Sequence, residues 1–364
     1  MPRSRSPVRT AASAPLSDAS PAGFREGDLA ALDEEWDEAE PSASAPAAAA
    51  GEVDVRAWQV PASAHGQRLD AFVAAEVTAY SRSHLKSLIE DGCVTVAGQV
   101  ITTPSRKVLA GQLVQAHLRP TAQSLSFQPE AIALNIVFED AHLLVVNKPA
   151  GLVVHPAAGN WSGTLMNGLL AHHADAAALP RAGIVHRLDK DTSGLMVVGK
   201  TLVAVTALSR AIAAREVSRQ YLALVHGETD ERFSVTSSIG RDPVTRVRMA
   251  VVPSGKPART DVERLMSGSW TGPQGTARSF SGVRCTLHTG RTHQIRVHLS
   301  SRRHPLVADA LYGGAPALGM TRQALHATRL AFTHPMTAEP LVFEAELPVD
   351  MAEAWSVLQR ADGV

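Results

Sequence analysis

The sequence predicts an α+β protein of two domains: a small module of two helices followed by strands, then a larger domain on a mixed, mainly antiparallel sheet. Three observations predict it. Apolar residues at helical spacing concentrate between residues 69 and 89, whereas beyond residue 129 short strand-like runs recur with few long helical patterns. A length of 364 residues exceeds what one small domain needs and suits two. No segment repeats at a fixed period, which argues against a solenoid or a propeller.

Taken in order, residues 1–52 are rich in Ala, Ser and Pro, hold an acidic patch, and offer too few large apolar groups to offset the entropy of ordering. They are expected to form a disordered acidic extension. A solvated tail is favoured there over a helix at Leu29–Glu40 that forms only on an unknown partner. Residues 53–120 change texture. Leu69, Phe72, Val73 and Val77 share one helix face, Ser81 is placed to cap a second helix with Leu85, Leu88 and Ile89 on its apolar side, and Gly92 is placed to end it. Val94 and Val96 then alternate before a turn at Ala97-Gly98, and Leu113–Leu118 reads as a further strand. Arg68, Arg82 and Lys86 make the module basic, the last two lying a helical turn apart and off the apolar stripe. Residues 121–128 read as a linker. Within 129–356, Leu143–Val146, Leu195–Val198, Tyr221–Val225 and Leu341–Glu346 read as strands and Thr201–Arg215 as the clearest helix, capped by Thr201. Residues 357–364 read as a tail.

Composition excludes several classes. With 45% hydrophobic and 19% charged residues the chain reads as a soluble globular protein, and no apolar run approaches the ~20 residues that span a bilayer. The N-terminus lacks the apolar centre of a secretory signal, so a cytoplasmic protein is expected. Cys93 and Cys285 lie far apart without CxxC or Cys/His spacing, which argues against a disulfide framework or a zinc knuckle. His293 and His298, five apart, and the adjacent His172-His173 do not match metal-ligand spacings, so no catalytic metal is expected. The net charge of zero conceals a split: residues 1–50 carry four arginines against nine carboxylates, which leaves +5 on the remainder.

The chemistry-bearing segment is Gly183–Lys200, GIVHRLDKDTSGLMVVGK, whose two apolar flanks read as strands around a polar loop at Arg187–Ser193. A lone loop aspartate is ordinarily solvated, so context has to decide what it does. His186-Arg187-Leu188-Asp189 followed by Thr192-Ser193-Gly194 resembles the signature of the pseudouridine synthases of the large-subunit ribosomal RNA type. The likeness continues through Asn147–Pro156, Arg219–Val225, Arg241-Asp242-Pro243, Gly255–Thr260, Gly290–Leu299 and Leu325-His326-Ala327. Arg68-Leu69-Asp70 together with Ser81–Val100 is similar to an S4 RNA-binding domain, so the resemblance spans roughly Arg68–Leu347. One departure is Ala308, where the family usually has glycine; if that glycine serves a special backbone angle, the loop geometry there is altered.

The resemblance implies an isomerase that turns uridines into pseudouridines. Its expected partner is large-subunit (23S) ribosomal RNA or an assembly intermediate, and it is expected to be a monomer without a cofactor. The reaction breaks the bond from ribose C1′ to uracil N1, turns the base, and rejoins it through C5, so no group enters or leaves overall. It requires an ionised carboxylate near the sugar, to attack C1′ or to take the 2′ proton, and both roles stay open. By position that carboxylate is Asp189, with Asp191 left as a loop residue. A buried carboxylate stays ionised only beside positive charge, and the resemblance assigns this to Arg296, a helical turn after Thr292. It further implies that the Tyr221 ring packs on the target base, a contact worth about 1–3 kcal/mol. Arg187 is the candidate to fill the gap left by a flipped nucleotide, with a phosphate contact as its alternative, and His186 is taken as active-site support. Arg68, Arg82 and Lys86 are the expected RNA contacts of the S4 module. Two rivals are a noncatalytic RNA-holding assembly factor and a relative acting on transfer RNA. The intact set of Asp189, Tyr221 and Arg296 argues against the first and the S4 module against the second.

Overall fold

The computed structural model describes residues 54–362 except 78–79, 119–123, 158–159, 246 and 274. The acidic extension and its candidate helix at Leu29–Glu40 lie outside the described residues.

The first module is strand β1 (Asp54–Gln59), helices α1 (Leu69–Glu76) and α2 (Arg82–Glu90), and strands β2 (Val94–Val96), β3 (Gln99–Val100) and β4 (Leu113–Leu118). Helix α2 begins where expected: Ser81 is in extended backbone and its Oγ accepts the His84 N–H at 3.3 Å. It stops at Gly92, whose φ of +74° is the left-handed conformation that ends helices. The strands form an antiparallel sheet in the order β1-β4-β2-β3. Leu69, Phe72, Leu85 and Ile89 pack on Val94, Val96, Val114 and Leu118 in a core of the module's own. Each such burial is worth about 1.5–3 kcal/mol. Strand β1 carried no readable signal, because its DVRAWQ sequence is mostly exposed and its pairing with β4 is a matter of backbone.

The larger domain runs through β5 (Ile136–Glu139), β6 (Leu143–Lys148), α3 (Leu165–His172), β7 (Ser193–Gly199), α4 (Leu202–Ala213), β8 (Ser218–His226) and β9 (Arg232–Thr236). It continues with β10 (Ile239–Arg241), β11 (Met249–Val251), β12 (Arg259–Thr271), β13 (Ala277–Leu287), α5 (Gln294–Ser301), β14 (Leu325–Thr333), β15 (Pro340–Glu344) and α6 (Val349–Asp362). Strands β10 and β11 form a separate hairpin. The main sheet has the order β5-β6-β7-β14-β8-β13-β12-β9, with β15 added to β14. Its pairings among the described residues are antiparallel except β7 with β14, which run parallel through Ser193–His326 and Gly194–Ala327. Helices α3 and α5 bury Leu165, Leu169, Ile295 and Leu299 against one face of the sheet. On the other face, α4 packs Val205 and Leu208 on Val145 and Val197, while Met351, Ala354 and Leu358 of α6 pack on Met266 and Phe280.

Three expectations need correction. The apolar flank before the Asp189 loop is not a strand: a tight turn at Pro180–Gly183 leads to a single bridge from Ile184 to Val198. Gly183, at φ +84°, passes so close to Gly199 O that a Cβ would lie 1.9 Å from it, so the chain crosses β7 instead of running beside it. The expected linker at 121–128 includes a turn at Ser124–Phe127 docked on α3, where Asn167 Nδ2 donates to Ser126 O at 3.2 Å and Gln128 O at 2.8 Å. The expected tail at 357–364 starts inside α6, with Leu358 fully buried. No helix among the described residues is long and apolar enough to cross a membrane.

Candidate active site

Asp189 sits in the loop that enters β7, and that loop is tied down carbonyl by carbonyl. Thr192 N–H donates to Asp189 O at 3.1 Å, and Lys190 O accepts both Gly151 N–H at 2.9 Å and Lys148 Nζ at 2.9 Å. Asp191 O accepts Arg322 Nη1 at 2.9 Å, and Arg322 is itself paired with Asp350 at 2.7 Å. At the loop's exit Gly194 has φ +119°, and a Cβ there would lie 2.2 Å from Ala327 O, so only glycine lets β14 close on the loop.

Lys148 acts from beneath. Only 1% exposed, it donates to Pro149 O, Leu152 O and Lys190 O at 2.8–3.0 Å, carbonyls that replace its lost water. Burial pulls its pKa down to about 7, against Asp189 and Asp191, which favour the charge.

The loop aims the Asp189 carboxylate at Arg296, the third residue of α5. Asp189 Oδ2 accepts Arg296 Nη1 at 2.9 Å, while Arg296 Nε and Nη2 donate to both oxygens of Asp309 at 2.8 and 2.9 Å. The guanidinium is 8% exposed and Asp309 1%, which makes Asp309 a buried orienting partner with fork geometry. Burial works against the Arg296 charge, but Asp309 and Asp189 outweigh it and hold the group protonated. Burial likewise pushes the Asp189 carboxyl up, and His293, Arg296 and Arg187 together reverse this, so its pKa falls below the ordinary value. His293 is itself held below its usual pKa, chiefly by burial, so at neutral pH the Arg296 charge carries most of that effect.

Asp189, Arg296 and His293 line a cleft of about 490 Å³, together with Tyr221 from β8, Thr192 and the guanidinium-bearing side chains Arg187, Arg219 and Arg291. Of the anticipated site residues, the structure brings Asp189, Arg187, Tyr221 and Arg296 to this cleft. It does not bring His186. That ring is 1% exposed behind the loop, its Nε2 accepts the Val197 N–H at 3.1 Å, and burial pulls its pKa down to about 3. His186 therefore holds β7 and does not face the cleft. Thr292 is also not helical, since α5 starts at Gln294 and His293 caps it in a left-handed conformation. In the S4 module, Arg68 is paired with Asp70 and Lys86 with Glu90 at 3.6 Å, while Arg82 lies exposed on the same helix as Lys86. Such surface pairs are worth little and exchange readily for phosphate. Asp309, His293 and Lys148 were not identified from the sequence as site residues. Each left only a trace: Lys148 and His293 lie inside the blocks Asn147–Pro156 and Gly290–Leu299, and Asp309 follows the already conspicuous Ala308.

Comparison with known proteins identifies the family. The RNA pseudouridylate synthase family model matches residues 142–301, and the S4 domain model matches residues 67–114. Ribosomal large subunit pseudouridine synthase D of Neisseria meningitidis serogroup B is 47% identical over 321 residues, 84% of this chain and 82% of the relative. The protein of the same description from Nitrosomonas europaea is 46% identical over 301 residues, 80% of this chain and 85% of the relative. Among solved structures, Human RNA Pseudouridylate Synthase Domain Containing 1 is 28% identical, with a TM-score of 0.48 over 64% of this chain and 86% of that one. The matched segment 142–301 carries Asp189, Tyr221 and Arg296, and with relatives of this identity over most of its length the chain belongs to the RNA pseudouridylate synthase family, as a synthase domain preceded by an S4 domain.

Proposed function

We propose that this pseudouridine synthase isomerises uridines of large-subunit ribosomal RNA and that Asp189 is its catalytic carboxylate. The observation that carries the assignment is the Asp189–Arg296–Asp309 chain, which keeps one carboxylate ionised at a cleft that Arg187, Arg219 and Arg291 also line. The choice of RNA rests on the S4 module and on the description shared by the bacterial relatives.

In this reading a uridine is flipped into the cleft and its base lies on Tyr221, with Arg187, Arg219 and Arg291 lining the cleft around it and Arg187 entering the vacated stack or contacting a phosphate. As C1′–N1 breaks, the bonding pair leaves with the uracil. Asp189 either bonds to C1′, a bond that breaks again as C5 attacks, or takes the 2′ proton and later gives it back to C2′; the base turns, C5 bonds to C1′, and the C5 hydrogen is lost to solvent while N1 gains one. Atoms balance without a cofactor. The protein acts as a cytoplasmic monomer on ribosomal RNA or its assembly intermediates.

The test is tritium release from ribosomal RNA transcripts labelled at uridine C5. The intact protein is expected to release tritium and Asp189→Asn to release none while still binding the RNA. Release by Asp189→Asn at the intact rate refutes the assignment.

A further inference from the structure

His293 is in the cleft, faces Asp189, and has no role in the reaction as described so far. Its backbone is costly: φ is +57° at the N-cap of α5, a conformation that charges a residue other than glycine about 1–2 kcal/mol. What that conformation secures is a ring held at one end with the other turned to Asp189. Nδ1 lies 2.8 Å from the Tyr312 hydroxyl, and Nε2 lies 3.9 Å from Asp189 Oδ1, beyond hydrogen-bond length.

The direction of these contacts selects a tautomer. The Tyr312 hydroxyl also contacts the Met249 N–H at 3.0 Å, at the start of β11. A backbone N–H can only donate, so the hydroxyl oxygen accepts there, and giving its own hydrogen to His293 Nδ1 is the arrangement that also spares Asp189 a lone pair. Nδ1 then accepts, and Nε2 carries the proton toward the cleft. The alternative tautomer would turn an Nε2 lone pair on the Asp189 carboxylate. Tyr312 is itself held, with the Arg296 guanidinium 5.0 Å and that of Arg248 5.7 Å from the centre of its ring. The charged groups acting on His293 are Asp189, Arg296, Arg187 and Asp309, and burial leaves the ring neutral near pH 7.

We propose that His293 is a second catalytic residue: as the Nε2–H tautomer set by Tyr312, it donates a hydrogen bond to an acceptor oxygen of the nucleotide held against Asp189. Tyr312 is the positioning residue. The inference rests on the isomerase reading above. When C1′–N1 breaks, negative charge spreads over the uracil ring and its carbonyl oxygens, and a neutral donor fixed beside the carboxylate stabilises that charge without drawing the proton from solvent.

Two substitutions separate this role from a structural one. An asparagine amide reaches only the Nδ1 position and tolerates the left-handed backbone well, whereas a glutamine amide reaches the Nε2 position and tolerates that backbone less. With enzyme in excess on a ribosomal RNA transcript, His293→Gln is expected to slow single-turnover conversion about threefold and His293→Asn about a hundredfold, a loss on the scale of one donor in the transition state. RNA affinity should stay within about threefold for both, and thermal stability should favour Asn. Tyr312→Phe should slow the same step in the histidine protein and change it little in the His293→Asn background. Equal losses in Gln and Asn, or a faster Asn variant, overturn the donor role, and additive losses with Tyr312→Phe overturn the positioning role. The intact protein and Asp189→Asn are assayed alongside: no conversion by the intact protein refutes the isomerase reading itself, and activity retained in Asp189→Asn refutes the Asp189 assignment, both independently of the two His293 variants.

Discussion

Ala308 has φ +59° and hands the chain to Asp309, whose carboxylate holds both Arg296 and, through it, Asp189. A left-handed alanine is strained by roughly 1–2 kcal/mol, partly offset by the backbone entropy that glycine would lose. Ala308→Gly is therefore expected to stabilise the protein by about 1 kcal/mol, read as a higher melting temperature with turnover unchanged; a lower melting temperature would show that the methyl group, 8% exposed in an apolar cluster, matters more than the angle. At this scale the sequence was informative where signals are local. Asp189 and Arg187 lie within one short motif, and Arg296 within another. Asp309 reaches Asp189 only through Arg296, and His293 sits in the same motif as Arg296, but no helical or strand period records which of these side chains turn to the carboxylate. His186 was misplaced for a related reason: it neighbours Arg187 in an irregular stretch that sends one side chain to the β7 backbone and the other to the cleft.

Elements with an apolar period were legible: α1, α2, α4, β4 and β7 are where the pattern puts them, and the Ser81 and Thr201 caps accept the N–H groups of His84 and Ala204. The Asp189 loop was legible as a loop but not as a rigid one, because its rigidity comes from Lys148, Gly151 and Arg322, which reach it from distant parts of the chain. Lys148→Met would keep the side chain's length and remove the Nζ donor from Pro149 O and Leu152 O, while Lys190 O keeps the Gly151 N–H. Each buried, unsatisfied group costs about 1–3 kcal/mol. The expected outcome is faster amide exchange at residues 189–192 and a turnover loss larger than the loss of RNA affinity. Unchanged exchange in that segment would mean the loop holds without Lys148.

For the whole molecule, the core of residues 60–118 and the cores that begin at Leu143 share no residue. A chain starting at Ser124 is expected to fold and to convert saturating RNA at a rate close to the intact protein's, while losing affinity for large RNA fragments. Equal affinity would count against the S4 module as an RNA contact. A second global property follows from three histidines kept neutral mainly by burial: His155 and His186, lowered to about 3, and His326, lowered to about 4. The unfolded chain protonates them near 6.5, so below that pH it binds more protons than the native state. Their contribution to stability is complete above pH 6.5 and is lost as pH falls toward 4, by up to about 1.4 kcal/mol per histidine per pH unit. Melting temperature should drop between pH 7 and pH 5; a flat profile would contradict the buried neutral state.

The placement of β14 between β7 and β8 also governs the order of assembly. Strands β5, β6 and β7 form one half of the sheet and β8, β13, β12 and β9 the other, and β14 is the strand that joins them. While the ribosome is still making residues before 325, each half presents a bare edge, open to another chain as readily as to its own last strands. Asp189 enters from one half and Tyr221 from the other, so the cleft is completed only when this keystone strand arrives. A nascent chain thus acquires its capacity to act on RNA late in its synthesis, all at once, and in the same event that seals its stickiest surfaces.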